Sequence, residues 1–389
     1  MEKRKYLKGG IMKLIYVSFG NIPSKWAHTI QMMKMSEALA QEVDKFELVT
    51  MTDLKSFFRK DFDFYSWYGI KKKFKITRLP LEWKKTSTIY EGWEYPKFNK
   101  IAPLYCKLVS PDIVYTRKPF IVNKCIRLGV NVIFESHDPL IGDDIAHIDS
   151  VKNKKELLCV VALRDFVKNW YIDILGLNKS KIIVAPNAVS LENYNINVSK
   201  NHIFEKYRIP VFQKVVIHCG HLYENRGIDY VIECAKNLKD VLFLFIGGWS
   251  EDVDKYRNKT KELGNVLFTG FIPNSEVPSL LKTADCVLMP YSKKLGVAEY
   301  ATPLKMFDYM ASKVPIVASK LYGLQEFLKH DYSAILVEPD DWRSLLDGVK
   351  FVFDNKIAAQ NLADNAYKEV EKYTYSNRAK RILEFSLDR

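Results

Sequence analysis

No stretch of the 389-residue sequence strings together the roughly 18 to 20 apolar residues of a membrane span. The basic opening MEKRKYLKGG leads into a strand-like segment rather than a signal-peptide core, so the chain is expected in the cytoplasm, including the inner face of the cell membrane. Cys106, Cys125, Cys159, Cys219, Cys234 and Cys286 are scattered, with no CxxC pair and no histidine-rich neighbour. Neither a disulfide framework nor a zinc site is expected, and the thiols read as reduced and buried. GxGxxG is missing, as is any short internal repeat. Residues 1–11, basic and carrying Gly9-Gly10, read as a loose leader, with Met12 as an alternative start.

What is present is apolar bulk and uneven charge. Hydrophobic residues make up 48% and aromatic residues 13%, enough for two or three cored domains. The net charge of +13 sits almost wholly in the first half: residues 1–200 hold 33 Lys/Arg against 21 Asp/Glu, and residues 201–389 hold 26 against 25. Such asymmetry points to an anionic partner, which by charge alone is a nucleic acid, a membrane surface or a phosphorylated substrate. Residues 55–100 interleave aromatic and basic side chains most densely, as a lipid-interface surface does. A hairpin with ordinary core aromatics reads the same way. Asp61-Phe62-Asp63 spells DxD, too short a pattern to imply a metal, and none is expected.

Strands alternate with helices along the chain, predicting two α/β domains with parallel sheets. The first strand, residues 14–18, runs through a loop containing Gly20 into a helix over 30–41. Strands follow at 46–50, 113–116 and 131–134, the last leading into Glu135-Ser136-His137-Asp138-Pro139. His137 thus lies just past a strand end, where parallel sheets hold ligands. Residues 154–169 read as helical, 181–185 as a strand, and the polar stretch 193–209 as an interdomain linker. The pattern then restarts: strand 214–218, a loop Gly220-His221-Leu222-Tyr223-Glu224-Asn225-Arg226-Gly227, a helix over 229–238, and strands at 241–246, 266–269 and 285–289.

Residues 291–319, YSKKLGVAEYATPLKMFDYMASKVPIVAS, carry the clearest site. Thr302 is a good N-cap and Pro303 a good first helical residue, with Leu304, Phe307, Met310 and Ala311 at helical spacing. A helix start with open N–H groups, and Lys305 one turn inside, suits a diphosphate. Asp308, a turn further on, suits a ribose.

In order, IPSKWAHTIQMMKMSEAL, FESHDP, VAPNAVSLENY, HCGHLYENRG, LFLFIGG, FTGFIP and TPLKMFDYMASKVPIVAS resemble the family 4 glycosyltransferases over nearly the whole chain. The resemblance implies the GT-B fold, two Rossmann-like domains with parallel sheets facing across a cleft. Residues 1–200 would form the acceptor-side domain, residues 201–372 the donor-binding domain, and helix 373–389 would pack back on the first. It implies retaining transfer of a sugar from a UDP- or GDP-linked donor, with no tightly bound cofactor or metal. The setting would be cell-envelope polysaccharide or glycolipid assembly at the membrane surface, on an anionic lipid-linked or polysaccharide acceptor. Gly20, Gly220, His221, Arg226, Thr302, Pro303, Leu304 and Lys305 would meet the diphosphate, and Asp308 the ribose. Arg226 replaces the family's usual lysine, and His221 stands where many members have arginine. His137 would position a sugar hydroxyl. The family's Glu-x7-Glu places Tyr300 at the first acid, so Glu299 takes that role only if the loop shifts by one residue.

Two other readings share this pattern, a sugar-nucleotide 2-epimerase of the same fold and a non-catalytic nucleotide-sugar-binding protein. Nucleic-acid binding is not expected, because no motif accompanies the basic first half.

Overall fold

In a computed structural model, the described residues are 11–19, 22–53, 62–82, 96–296 and 302–388. They divide into two compact units, Met1–Pro186 with Tyr375–Arg389, and Asn187–Thr374.

The first unit is built on seven strands: β1 (Lys13–Val17), β2 (Lys45–Asp53), β3 (Lys75–Glu82), β4 (Ile113–Thr116), β5 (Val132–Ser136), β6 (Leu157–Ala162) and β7 (Ile182–Val184). All pair in parallel, in the order β3-β2-β1-β4-β5-β6-β7. The order reverses between β1 and β4, which opens a crevice at their carboxyl ends. Helices cover both faces of such a sheet, and its central strands β4 and β5 are buried at every position. Helix Tyr375–Leu387 belongs to this unit, packing on helix Ala27–Glu42 and on β6, with Ala379, Ile382 and Leu383 buried.

The second unit carries β8 (Lys214–Cys219), β9 (Val241–Ile246), β10 (Val266–Gly270), β11 (Cys286–Met289), β12 (Ile316–Ser319) and β13 (Ile335–Val337). They too are parallel, ordered β10-β9-β8-β11-β12-β13. Side chains alternate across the sheet: Val215 and Ile217 of β8 enter one core cluster, and Val216 enters the other. Here the order reverses between β8 and β11.

Two local expectations give way. Residues 154–169 are not one helix, since Leu157–Ala162 is strand β6 and a helix follows at Asp165–Asp173. The run Leu-Leu-Cys-Val-Val is buried between β5 and β7, and that burial overrides the helix-forming lysines before it. Residues 193–209 are not a linker. Helix Lys200–Lys206 lies within them, Tyr194, Phe204 and Ile209 sit in the core of the second unit, and the border between units falls at Pro186 and Asn187. Within residues 55–100, Asp63 caps the short helix Phe64–Tyr68, accepting from the backbone N–H groups of Tyr65 and Ser66 at 3.0 and 3.2 Å. Asp61 and the leader over residues 1–10 lie outside the described residues.

Arg378 on the last helix is buried and ion-pairs with Glu135 Oε2 at 2.8 Å, while its Nε donates to the Pro186 carbonyl at 2.8 Å. Removing one partner of a buried pair strands the other charge. Arg378→Met should therefore lower unfolding free energy in urea by about 3–5 kcal/mol. A loss below about 1 kcal/mol would show that Glu135 finds its charge balance elsewhere.

Candidate active site

In the second unit, the carboxyl ends of β8 and β11 bring together most of the residues expected at a diphosphate. Gly220 follows β8 with φ +130° and donates to the Ile246 carbonyl at 2.8 Å. The loop from Gly220 then returns to pack on β11 through Gly227, where a Cβ would lie 1.7 Å from the Pro290 carbonyl oxygen. No other residue fits there. A Cβ on Gly247 would likewise meet the Gly220 carbonyl oxygen at 2.7 Å, so three chain segments are locked backbone to backbone.

That packing sets two cations over one ring. The Arg226 guanidinium lies 4.6 Å and Lys305 Nζ 4.9 Å from the centroid of buried Tyr291. Among the described residues neither cation has a carboxylate within ion-pair distance. Burial, then the charge of Arg226, lowers Lys305 to about 7. Lys305 Nζ is 3.2 Å from His218 Nε2, and His218 is held neutral by burial and by the same two cations. His221 stacks on Tyr223 and Trp249 at 4.9 and 5.2 Å, and burial with Arg226 and Lys305 lowers it to about 4. It is a neutral ring here rather than a second arginine.

Helix Leu304–Ser312 begins one residue later than its sequence predicts. Pro303 is the N-cap, extended at ψ 134°, and no side chain caps the first turn. Thr302 does not cap it. Its carbonyl accepts from Asn187 Nδ2 at 2.6 Å, and its hydroxyl is buried without a hydrogen-bond partner among the described residues. The uncapped N–H groups at Leu304 and Lys305 retain the positive end of the helix dipole. Tyr309 ties this helix to both strands, accepting from the Cys219 N–H at 2.8 Å and donating to the Leu288 carbonyl at 3.2 Å. Asp308 accepts from the Tyr194 hydroxyl at 2.8 Å. Gly20, Glu299 and Tyr300 lie outside the described residues.

In the first unit, His137 closes β5 but is not free to offer a nitrogen. Its Nδ1 lies 2.6 Å from Arg117 Nη2 and accepts from it, and its Nε2 lies 2.5 Å from Glu135 Oε1 and donates to it. Burial and Arg117 lower His137 to about 4, so the ring is neutral with its proton on Nε2. The expected hydrogen bond from this ring to a sugar hydroxyl therefore meets two occupied nitrogens. Gln31 bridges the network, accepting from Arg117 Nη1 at 2.7 Å and donating to Glu135 Oε1 at 2.9 Å. Burial alone would raise Glu135, but Arg378, His137 and Arg117 hold it well below the usual carboxylate range.

Sequence reasoning passed over Tyr291, Tyr194, Arg117 and Glu135 as site residues. Arg117 and Glu135 each follow or end a strand beside the crevice, which was a usable signal; Tyr291 and Tyr194 had none. Among the described residues no three His, Cys, Asp or Glu side chains gather as a metal site needs.

Residues 199–369 match the family model described as glycosyl transferases group 1. An uncharacterized glycosyltransferase of Methanocaldococcus jannaschii is 26% identical over 234 residues, 58% of each chain. A processive diacylglycerol alpha-glucosyltransferase of Acholeplasma laidlawii is 25% identical over 227 residues, 52% of this chain and 65% of the relative. The matches thus span under two thirds of either relative's length. The crystal structure of HepE from Anabaena in complex with UDP aligns over 96% of this chain and 99% of its own at TM-score 0.70 and 15% identity, a likeness of fold.

The Lys305 environment has a pH consequence. With Lys305 at about 7 in the ligand-free protein, its ordinary value being 10.5, an anion that binds its charged form must draw in a proton once the pH exceeds 7. Pyrophosphate affinity measured calorimetrically should fall by up to about tenfold per pH unit above 7. Lys305→Met should bind more weakly at pH 7 and lose that slope; an equal slope in the variant would assign the proton elsewhere.

Proposed function

With a glycosyl transferases group 1 domain in its second unit and a GT-B fold overall, the chain is one we propose to be a retaining glycosyltransferase that takes its sugar from a nucleotide diphosphate donor. The observation that carries this reading is the pair of cations over Tyr291, uncompensated among the described residues, beside an uncapped helix start. Diphosphate oxygens fit that charge, and Arg226 offers them a planar two-pronged fork. As the bond from the anomeric carbon to the diphosphate breaks, negative charge grows on the leaving oxygen. Arg226, Lys305 and the Leu304 and Lys305 N–H groups stabilise it there. The acceptor hydroxyl attacks from the same face, and its proton passes to the departing diphosphate. Asp308, oriented by Tyr194, takes the ribose. The UDP-bound Anabaena neighbour favours uridine as the base. His137 acts through the Arg117 and Glu135 network that fixes it, rather than by protonating the sugar.

A thermal-shift panel of nucleotide sugars tests the donor half. A matching donor at about 100 times its Kd adds about 2.7 kcal/mol of stability. Arg226→Ala should abolish most of that shift. An unchanged shift would remove Arg226 from the diphosphate site.

For the acceptor we propose an anionic, lipid-linked glycan reached from the inner face of the membrane. No helix among the described residues is long and apolar enough to cross a bilayer. Helix Pro96–Val109 instead exposes Ile101, Leu104 and Leu108 at 41%, 60% and 84%, a spacing that sets them on one side with exposed Lys97, Lys100 and Lys107 beside them. Such a face suits an interface with anionic headgroups. Leu104→Gln with Leu108→Gln should weaken binding to acidic vesicles at least about tenfold, at about 1.5–3 kcal/mol per buried leucine. The donor thermal shift should be unaffected. Absence of vesicle binding by the unaltered protein at low salt would end the membrane reading.

A further inference from the structure

The sheet of the second unit has a second opening at the end away from Arg226 and Lys305. A cavity of about 640 Å³ lies beside the amino ends of β8, β11 and β12, lined among others by Lys214, Lys282, Lys313, Lys356, Val314 and Phe353. That volume falls in the range of small-molecule sites. Four lysines face it against one carboxylate, Asp285. Asp285 is already engaged: its Oδ2 accepts from the Val215 N–H at 2.7 Å and lies 3.7 Å from Lys200, which is not part of the lining. None of the four lysines has a carboxylate of its own within ion-pair distance among the described residues.

Three of the four lysines make aromatic or backbone contacts instead. Lys214 Nζ sits 4.5 Å over the Phe353 ring, Lys313 Nζ 4.1 Å over Tyr367, and Lys282 Nζ donates to the Ile196 carbonyl at 3.2 Å. Burial, then the charge of Lys313, lowers the proton affinity of Lys282. Lys313 also keeps φ +59° at the end of helix Leu304–Ser312, a left-handed position where glycine is the unstrained choice. The apolar part of the wall, Val314, Pro315, Val352 and Phe353, leaves room for more than a bare ion.

We propose that this cavity is a second anion site, for a small phosphorylated organic molecule, separate from the donor diphosphate site. The phosphate contacts Lys282 and Lys313, and the carbon body lies on Val352 and Phe353. Helix Leu304–Ser312 joins the two sites, with Lys305 near its start and Ser312 and Lys313 at its end, so occupancy of one is expected to be felt at the other.

Pyrophosphate serves as the probe, with Arg226→Ala as the background in which its binding to the donor site is weakened. Calorimetry of Arg226→Ala should show one remaining pyrophosphate site whose affinity falls with ionic strength. Adding Lys282→Gln and Lys313→Gln should weaken that site at least about tenfold, with an unchanged melting temperature confirming the fold. In the Arg226-intact protein the same two glutamines should leave the nucleotide-sugar thermal shift in place. The proposal is overturned by the absence of any site in Arg226→Ala, or by a site indifferent to Lys282→Gln/Lys313→Gln. An Arg226→Ala protein that binds two pyrophosphates, one of them lost with the glutamines, would support the cavity while refuting the donor assignment.

Discussion

Two cations share one aromatic ring, and the second unit is arranged around keeping them there. Arg226 and Lys305 both lie within 5 Å of the Tyr291 ring centroid, at 4.6 and 4.9 Å. Like charges on one buried ring repel, and the negative face of the ring offsets only part of that repulsion. Burial first, and then the remainder of that repulsion, weaken the hold of Lys305 on its proton. Geometry has to resist what electrostatics would push apart. Gly227 against the Pro290 carbonyl and Gly247 against Gly220 supply that resistance through backbone contacts, and the buried Tyr309 hydroxyl adds hydrogen bonds to the Cys219 and Leu288 backbone.

Much of this was legible in the sequence, because it depends on local pattern. Strands such as β9 and β11 are unbroken apolar runs, as a sheet covered on both faces demands, and the loop from Gly220 to Gly227 was expected at the diphosphate. What was not legible depended on distant residues. Thr302 and Pro303 have the right chemistry for cap and first turn, yet Asn187, over a hundred positions away, holds the Thr302 carbonyl and Pro303 becomes the cap. Residues 154–169 carry good helix formers, yet the gap between β5 and β7 takes their apolar half as a strand. In both cases a long-range partner outweighed a preference of a few tenths to one kcal/mol.

His137 shows the same limit in the chemistry. Its position past a strand end was readable; the state of its nitrogens was not. Arg117 claims one and Glu135 the other, and Glu135 is itself fixed by Arg378, which arrives from the last helix of the chain. A histidine so held keeps one tautomer and one orientation across the neutral range.

The two units therefore treat buried charge in opposite ways. In the first unit, Arg117 and Arg378 converge on Glu135, so their charge is spent inside the protein and a ligand anion would gain little from them. In the second, Arg226 and Lys305 have no such partner among the described residues, and their field points to whatever occupies the crevice. A desolvated cation without a counter-ion costs stability until an anion arrives, and that cost is returned as affinity on binding. Lys305, near 7, limits the cost by shedding its proton when the site is empty and regaining it as an anion enters. On the proposed donor reading, the charge offered to a leaving diphosphate thus rises with occupancy and fades otherwise.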